Sequence, residues 1–256
     1  GLLAGCGSSD KTEESTKTEE TVKEETSSQE ETETKAASSD SDNVASEEEA
    51  EKAGFSDGSD EKSDSADTDS ENKDSSDSST TSVLLDTSKE LTGIHHAEIE
   101  VKDYGTIDVE LDADTAPITV TNFVKLAQEG FYDGLTFHRI MDGFMIQGGD
   151  PNGDGTGGSK ENIKGEFSNN GVDNDISHTR GTISMARASD PDSASSQFFI
   201  VQADSTFLDG DYAGFGHVTE GMDIVDKICE DAKPTDDNGT IPSDQQPVIE
   251  KITITD

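Results

Sequence analysis

The chain has 256 residues and a formal net charge of −40, with 58 Asp and Glu against 18 Lys and Arg. That excess of acid argues against nucleic-acid binding, because affinity for phosphate comes from clustered Lys and Arg. The charge lies on two stretches of different character: residues 10–90 carry 27 acidic and 8 basic side chains, and the rest of the chain carries 31 and 10.

At the N-terminus, Leu2-Leu3-Ala4-Gly5-Cys6 is similar to a lipobox, the end of a bacterial lipoprotein signal peptide. Small residues before Cys6 fit a signal peptidase cleft, and the Cys6 thiol would receive a diacylglyceryl group. Residues 1–5 are therefore expected to be a signal-peptide remnant and Cys6 the lipidation site, anchoring the chain to the extracytoplasmic face of the cell membrane. Residues 6–90 are Ser, Thr, Glu, Asp and Lys with few apolar residues, Val22, Val44 and Phe55 among them. Such a segment cannot bury enough apolar surface to offset chain entropy and is expected to be a disordered tether. Eighty such residues span roughly 50 Å as a flexible coil, more with charge repulsion. Residues 45–53 could form a transient helix, to which no function is assigned.

From residue 91 to 256 the pattern becomes that of one folded domain. Ala97, Ile99 and Val101 alternate with polar residues, Asp103-Tyr104-Gly105 turns the chain, and Ile107, Val109 and Leu111 alternate again; this predicts a hairpin. Pro117 opens a helix whose apolar face is Ile118, Val120, Phe123, Val124 and Ala127, with Gly130 at its C-terminal end. Short strands are predicted at 137–140, 144–147, 182–186, 198–201 and 214–218, a second helix at 222–230, and a closing strand at 248–254. Cys229 shares a helical face with Met222, Val225 and Ile228, which makes it a small buried hydrophobe rather than a redox group. Many short strands with only two helices favour a closed β-barrel, since closure removes edges.

Two stretches carry the chemistry: FHRIMDGFMIQGGD at 137–150 and SMARASDPDSASSQFFIV at 184–201. Together they resemble the signature segments of the cyclophilins, a class of peptidyl-prolyl cis/trans isomerases, and the resemblance covers residues 94–256. It implies a mainly β fold, a closed eight-stranded antiparallel barrel capped by two helices. It also implies isomerisation of X–Pro bonds with neither cofactor nor metal. Arg139 would be the catalytic guanidinium, with Gln147 and Phe144 beside it. Met145, Phe199 and Leu208 would line the proline pocket together with Phe144, Gln147 and Gln197 would bond the substrate backbone, and Ala186 and Arg187 would lie along the groove. Only three arginines occur in the chain, and two of them fall inside these segments. Arg187, Phe207 and Tyr212 stand where many eukaryotic members have Asn, Trp and His. Phe207 lacks an indole N–H, which bears on cyclosporin affinity more than on catalysis; Tyr212 still offers a hydroxyl.

The stretch DPNGDGTGGSKE, 150–161, satisfies an EF-hand loop pattern, but a strand precedes it and Gly157 takes the usual aliphatic position, so calcium binding is not expected. His95, His96, His138, His178 and His217 lack metal-site spacing, and His138 is expected to pack beside the strand bearing Arg139. The expected function is a monomeric, lipid-anchored prolyl isomerase acting on proline-containing unfolded or exported polypeptides. The alternatives are a surface-displayed module that binds proline peptides without turnover, or a calcium-dependent adhesin resting on the 150–161 loop alone.

Overall fold

The computed structural model describes residues 82–256. The lipobox, Cys6, the helical tendency at 45–53 and most of the tether expected over 6–90 lie outside the described residues. Within them, the Val83 N–H donates to the Ile254 carbonyl, Leu85 exchanges two hydrogen bonds with the Gln128 side chain, and the Leu91 N–H donates to Thr121 Oγ1. The chain is thus held to the folded unit upstream of the boundary expected at residue 91.

The predicted hairpin forms from β1 (Ile94–Val101) and β2 (Gly105–Asp112), with Ala97 opposite Val109 and Ile99 opposite Ile107. Asp103 turns the chain at a left-handed φ of 66°, which a short polar side chain tolerates better than a branched one. Helix α1 spans Pro117–Gln128 and buries Val120, Phe123, Val124 and Ala127. Its own N-cap, Ala116, supplies no side-chain cap. The carboxylate of buried Glu166 does so from a distant loop, accepting the Ile118 and Thr119 N–H groups and the Thr119 hydroxyl. A carboxylate there meets both the unpaired N–H groups and the positive end of the helix. At the other end Gly130, at φ 70°, returns its N–H to Ala127, and Phe131 returns its own to Leu126.

The remaining strands are β3 (Phe137–Met141), β4 (Met145–Gly148), β5 (Thr182–Met185), β6 (Phe198–Val201), β7 (Gly214–Glu220) and β8 (Ile249–Ile254), with α2 (Met222–Asp231) before the last. Each lies within three residues of its predicted bounds. All strand pairs are antiparallel, in the order β3-β4-β6-β5-β7-β2-β1-β8. Helix α1 packs on β8 and β2, and α2 on β2 and β4. Where β7 crosses β2, Gly216 permits the approach: a Cβ there would lie 2.0 Å from the Glu110 carbonyl oxygen. Inside the curled sheet, Phe123, Tyr132, Phe137, Phe198 and Phe215 are fully buried, and Phe198 meets Phe123, Tyr132 and Phe137 edge-on.

The expectation of a closed barrel needs correction. β3 and β8 are the two ends of the strand order and do not pair as strands; one bridge, Thr136 with Val248, joins their margins. Pro247 precedes β8 and has no N–H to give a ladder. Its carbonyl accepts from Phe137, while residues 239–241 cover the rest of β3: Ile140 donates to Gly239, and Ile241 to His138. The result is an open, curled half-barrel whose exposed edge is satisfied by a loop instead of a strand.

Candidate active site

Strands β3, β4, β6 and β5 set four side chains in one cross-strand row. Arg139 is opposite Gln147, Gln147 opposite Phe199, and Phe199 opposite Ser184. Successive side chains of a strand point to opposite faces. The residues between them, Ile140, Ile146, Phe198 and Ile200, therefore belong to the main core, while the row faces a separate groove.

The groove has an apolar and a polar half. Met145, Phe199, Val201 and Leu208 form a small buried cluster, and Met141, Phe144, Ala186 and Tyr212 pack against it. Phe199 meets the Tyr212 ring edge-on at 6.0 Å between centroids. Phe207 is 73% exposed at the margin, its ring 5.6 Å from that of Phe144. On the polar side, Arg139 Nε donates to the Asn238 carbonyl at 2.7 Å, Nη1 to Gln147 Oε1 at 3.1 Å, and Nη2 to the Met141 sulfur at 3.4 Å. Gln147 Nε2 donates to Gln197 Oε1, and Gln197 Nε2 to the Gly155 and Gly157 carbonyls. The polar half is thus a relay from the 236–240 turn to the glycine-rich loop.

Burial lowers the Arg139 guanidinium from its ordinary value, with Tyr212 and Asp236 acting the other way. An arginine starts so high that it stays charged. A guanidinium carries five N–H groups; three are engaged here, which leaves two to direct at a bound carbonyl or amide nitrogen.

Of the expected site residues, Arg139, Gln147 and Gln197 form one hydrogen-bonded series, and Phe144, Met145, Ala186, Phe199, Leu208 and Tyr212 one apolar surface, with Phe207 at its margin. Arg187 differs in what holds it. Its guanidinium lies over the rings of Phe167 and Tyr212, at 5.1 and 4.9 Å to the centroids, and donates to the carbonyls of Asp211 and Ala188. It stiffens the Tyr212 wall. His138 is buried beside Arg139 as expected, and no hydrogen-bond partner meets either ring nitrogen; burial lowers its pKa. In the 150–161 loop the buried Asp150 carboxylate accepts the N–H groups of Asn152, Asp154 and Gly155, so its lone pairs serve the loop's own turn. Cys229 is buried, which pushes its thiol up to about 12.

Sequence reasoning missed three contributors: the Asn238 carbonyl, and the buried pair Ser184 and His178. Asn238 and His178 come from stretches outside the two signature segments, where a lone Asn or His gives no local signal. Ser184, although it opens the second segment within β5, is a small side chain whose role shows only through its hydrogen bond to His178.

Known proteins resemble this chain in sequence and in fold. The family model for the cyclophilin type peptidyl-prolyl cis-trans isomerases matches residues 96–256. A peptidyl-prolyl cis-trans isomerase of Helicobacter pylori is 46% identical over 142 residues, 55% of this chain and 83% of that one. Peptidyl-prolyl cis-trans isomerase B of Bacillus subtilis is 48% identical over 125 residues, 49% of this chain and 84% of that one. Among solved structures, a cyclophilin type isomerase of Cryptosporidium parvum superposes with a TM-score of 0.56 at 29% identity, covering 63% of this chain and 98% of its own. The same protein in the presence of the dipeptide Ala-Pro gives 0.55 at 30% identity, covering 62% and 98%.

Proposed function

The chain belongs to the cyclophilin-type peptidyl-prolyl cis-trans isomerases, and from that premise we propose that it turns X–Pro bonds of exported polypeptides outside the cytoplasmic membrane, using Arg139 and the Phe199 pocket. The barrier to be lowered is roughly 18–20 kcal/mol, from the partial double bond of the amide, and the uncatalysed event takes on the order of 10–100 s. No covalent bond breaks, so the catalyst needs only a grip on the proline ring and a cation that favours the twisted amide over the planar one.

The observation that carries this reading is the row Arg139–Gln147–Phe199. It fixes a guanidinium with unspent donors beside an apolar cluster whose surrounding residues, Met141, Phe144, Ala186 and Tyr212, are only partly buried. In the proposed mechanism Met145, Phe199 and Leu208 hold the ring, with Phe144 at the edge. Arg139 holds the prolyl carbonyl and stabilises the nitrogen lone pair released as conjugation is lost. Gln147 and Gln197 exchange their mutual bond for bonds to substrate backbone. Proline-peptide binding is supported by the Ala-Pro dipeptide present with the Cryptosporidium relative.

Placement at the membrane rests on Leu2–Cys6 and the long acidic stretch after it. Among the described residues no helix is long and apolar enough to cross a membrane. A diacylglyceryl group supplies two chains, enough for stable attachment where one is marginal. A refolding-coupled assay on a proline peptide tests the site: wild type accelerates the slow phase and Arg139→Ala does not. Membrane extraction tests the anchor: the protein needs detergent, and Cys6→Ala releases it or leaves it unprocessed. Recovery of the wild type as soluble cytosolic material would refute the anchor.

A further inference from the structure

His178 is fully buried and hydrogen-bonded at both ring nitrogens. Nδ1 lies 2.8 Å from Asp209 Oδ1 and Nε2 lies 2.9 Å from Ser184 Oγ. Its backbone joins the same assembly: its N–H donates to Asp209 Oδ1, and its carbonyl accepts from Ser205. Ser205 and Asp209 flank the short turn Thr206–Leu208, which carries Phe207 and Leu208 to the groove. The imidazole also stacks on the Phe199 ring, 6.0 Å between centroids at 20°, and meets Tyr212 edge-on at 6.5 Å. One side chain therefore touches the ring, the turn and the strand that together form the apolar half of the site. Ser184 is the last member of the row that begins at Arg139.

The proton can be assigned from the network. Burial raises the Asp209 carboxyl, but hydrogen bonds from the Ser177 hydroxyl and from the His178 N–H and ring outweigh it and hold it below its ordinary value. An ionised carboxylate only accepts, so Nδ1 carries the hydrogen and Nε2 accepts the Ser184 hydroxyl. We propose that His178 is a positioning residue for the proline pocket: as this neutral tautomer it locks the Thr206–Leu208 turn to β5 and holds the Phe199 ring in place. The inference rests on the groove reading given above. Burial, the larger influence, lowers the His178 pKa, and Asp209 opposes it. The titratable or charged groups facing the imidazole are Asp209 and Tyr212, with Arg187 over the Tyr212 ring. Protonation would put a charge into this buried site and leave the Ser184 hydroxyl without its acceptor.

The sign follows. A histidine whose folded pKa lies below its unfolded value of about 6.5 contributes fully above that value, and the contribution is lost as pH falls through the folded pKa. The test measures KM and kcat of the full chain against a proline peptide from neutral pH downwards, with circular dichroism confirming the fold at each point. Wild type should lose activity on an acid limb below the ordinary histidine range while still folded. Asp209→Asn, which keeps an acceptor but removes the charge that opposes burial, should move that limb to lower pH. His178→Phe, which keeps a ring against Phe199 but breaks both hydrogen bonds, should abolish the limb and raise KM about tenfold, the scale of one net hydrogen bond. A merely structural histidine would lower the melting temperature and leave KM and the pH profile of the folded protein unchanged, and that result would overturn the proposal. Phe199→Ala in parallel separates the two readings. If it retains activity, the groove reading fails; if it is inactive while His178→Phe keeps wild-type KM, only the role of His178 fails.

Discussion

Phe198 and Phe199 are consecutive in β6 and serve different parts of the molecule. Phe198 is sealed among Phe123, Tyr132 and Phe137 inside the sheet. Phe199 belongs to a cluster of four buried residues with partly buried neighbours, and its ring stacks with that of His178. The same division runs through β4, where Ile146 joins the core and Met145 the groove. The core is held by volume filled from every direction, so its worth is stability. In the proposed function the groove cluster receives a ligand and its polar neighbours supply the chemistry. Its precision is borrowed from the core on the opposite face of the same strands, because Met145, Phe199 and Val201 each adjoin a core residue, Ile146, Phe198 or Ile200.

Paired substitutions can break this contrast. Phe198→Ala should cost about 3–5 kcal/mol in urea or thermal unfolding, the usual penalty for a large aromatic removed from a closed core. Phe199→Ala should cost clearly less in the same measurement and lose most isomerase activity. Equal stability losses in the two variants would show that the groove is simply more core. Next in size is Arg139→Ala. Isomerase activity should fall about a hundredfold, as when one preorganised transition-state donor is deleted, with the melting temperature nearly unchanged. Near-wild-type activity in a folded Arg139→Ala protein would remove the guanidinium from the mechanism.

Two smaller effects sharpen the margin of the groove. Phe207 is mostly exposed and has no N–H to donate, so cyclosporin should inhibit only weakly. Phe207→Trp should tighten inhibition by about 1 kcal/mol, one hydrogen bond's net worth, read from inhibition curves of the two proteins. The smallest expected effect is none. Millimolar calcium should leave melting temperature and isomerase rate unchanged, since the Asp150 carboxylate already accepts three N–H groups of its own loop. A rise of several degrees would mean ligand-linked stabilisation and would revive the calcium reading.

The sequence was legible wherever structure is local. Alternation at Ile107, Val109 and Leu111 located a strand, Pro117 opened a helix, and the apolar face around Cys229 marked a buried thiol. The two signature segments located Arg139, Gln147, Phe199 and their neighbours. Closure was misread because it depends on what lies against β3, and that is settled by Pro247 and the 239–241 stretch, far along the chain. Likewise the Asn238 carbonyl bonds Arg139 from 99 residues away, and Asp209 bonds His178 from 31. Partners of that kind have no periodicity to betray them. Arg187 was placed near the groove, but nothing local showed that its charge would be spent on two aromatic rings.

The alternation along β3, β4 and β6 has a consequence for how such a chain can vary over time. Point changes in the groove row leave the inward row intact, so binding preference can drift while the scaffold persists. A single inserted or deleted residue within β4 or β6 behaves differently. Downstream of it the two rows would trade faces, sending Ile146 or Phe198 outward and Gln147 or Phe199 inward. These strands should therefore tolerate many substitutions and almost no change of length. The connection between Gly149 and Gly181 can absorb additions as long as Glu166 still reaches the first turn of α1, His178 still meets Asp209 and Ser184, and the Gly155 and Gly157 carbonyls still meet Gln197.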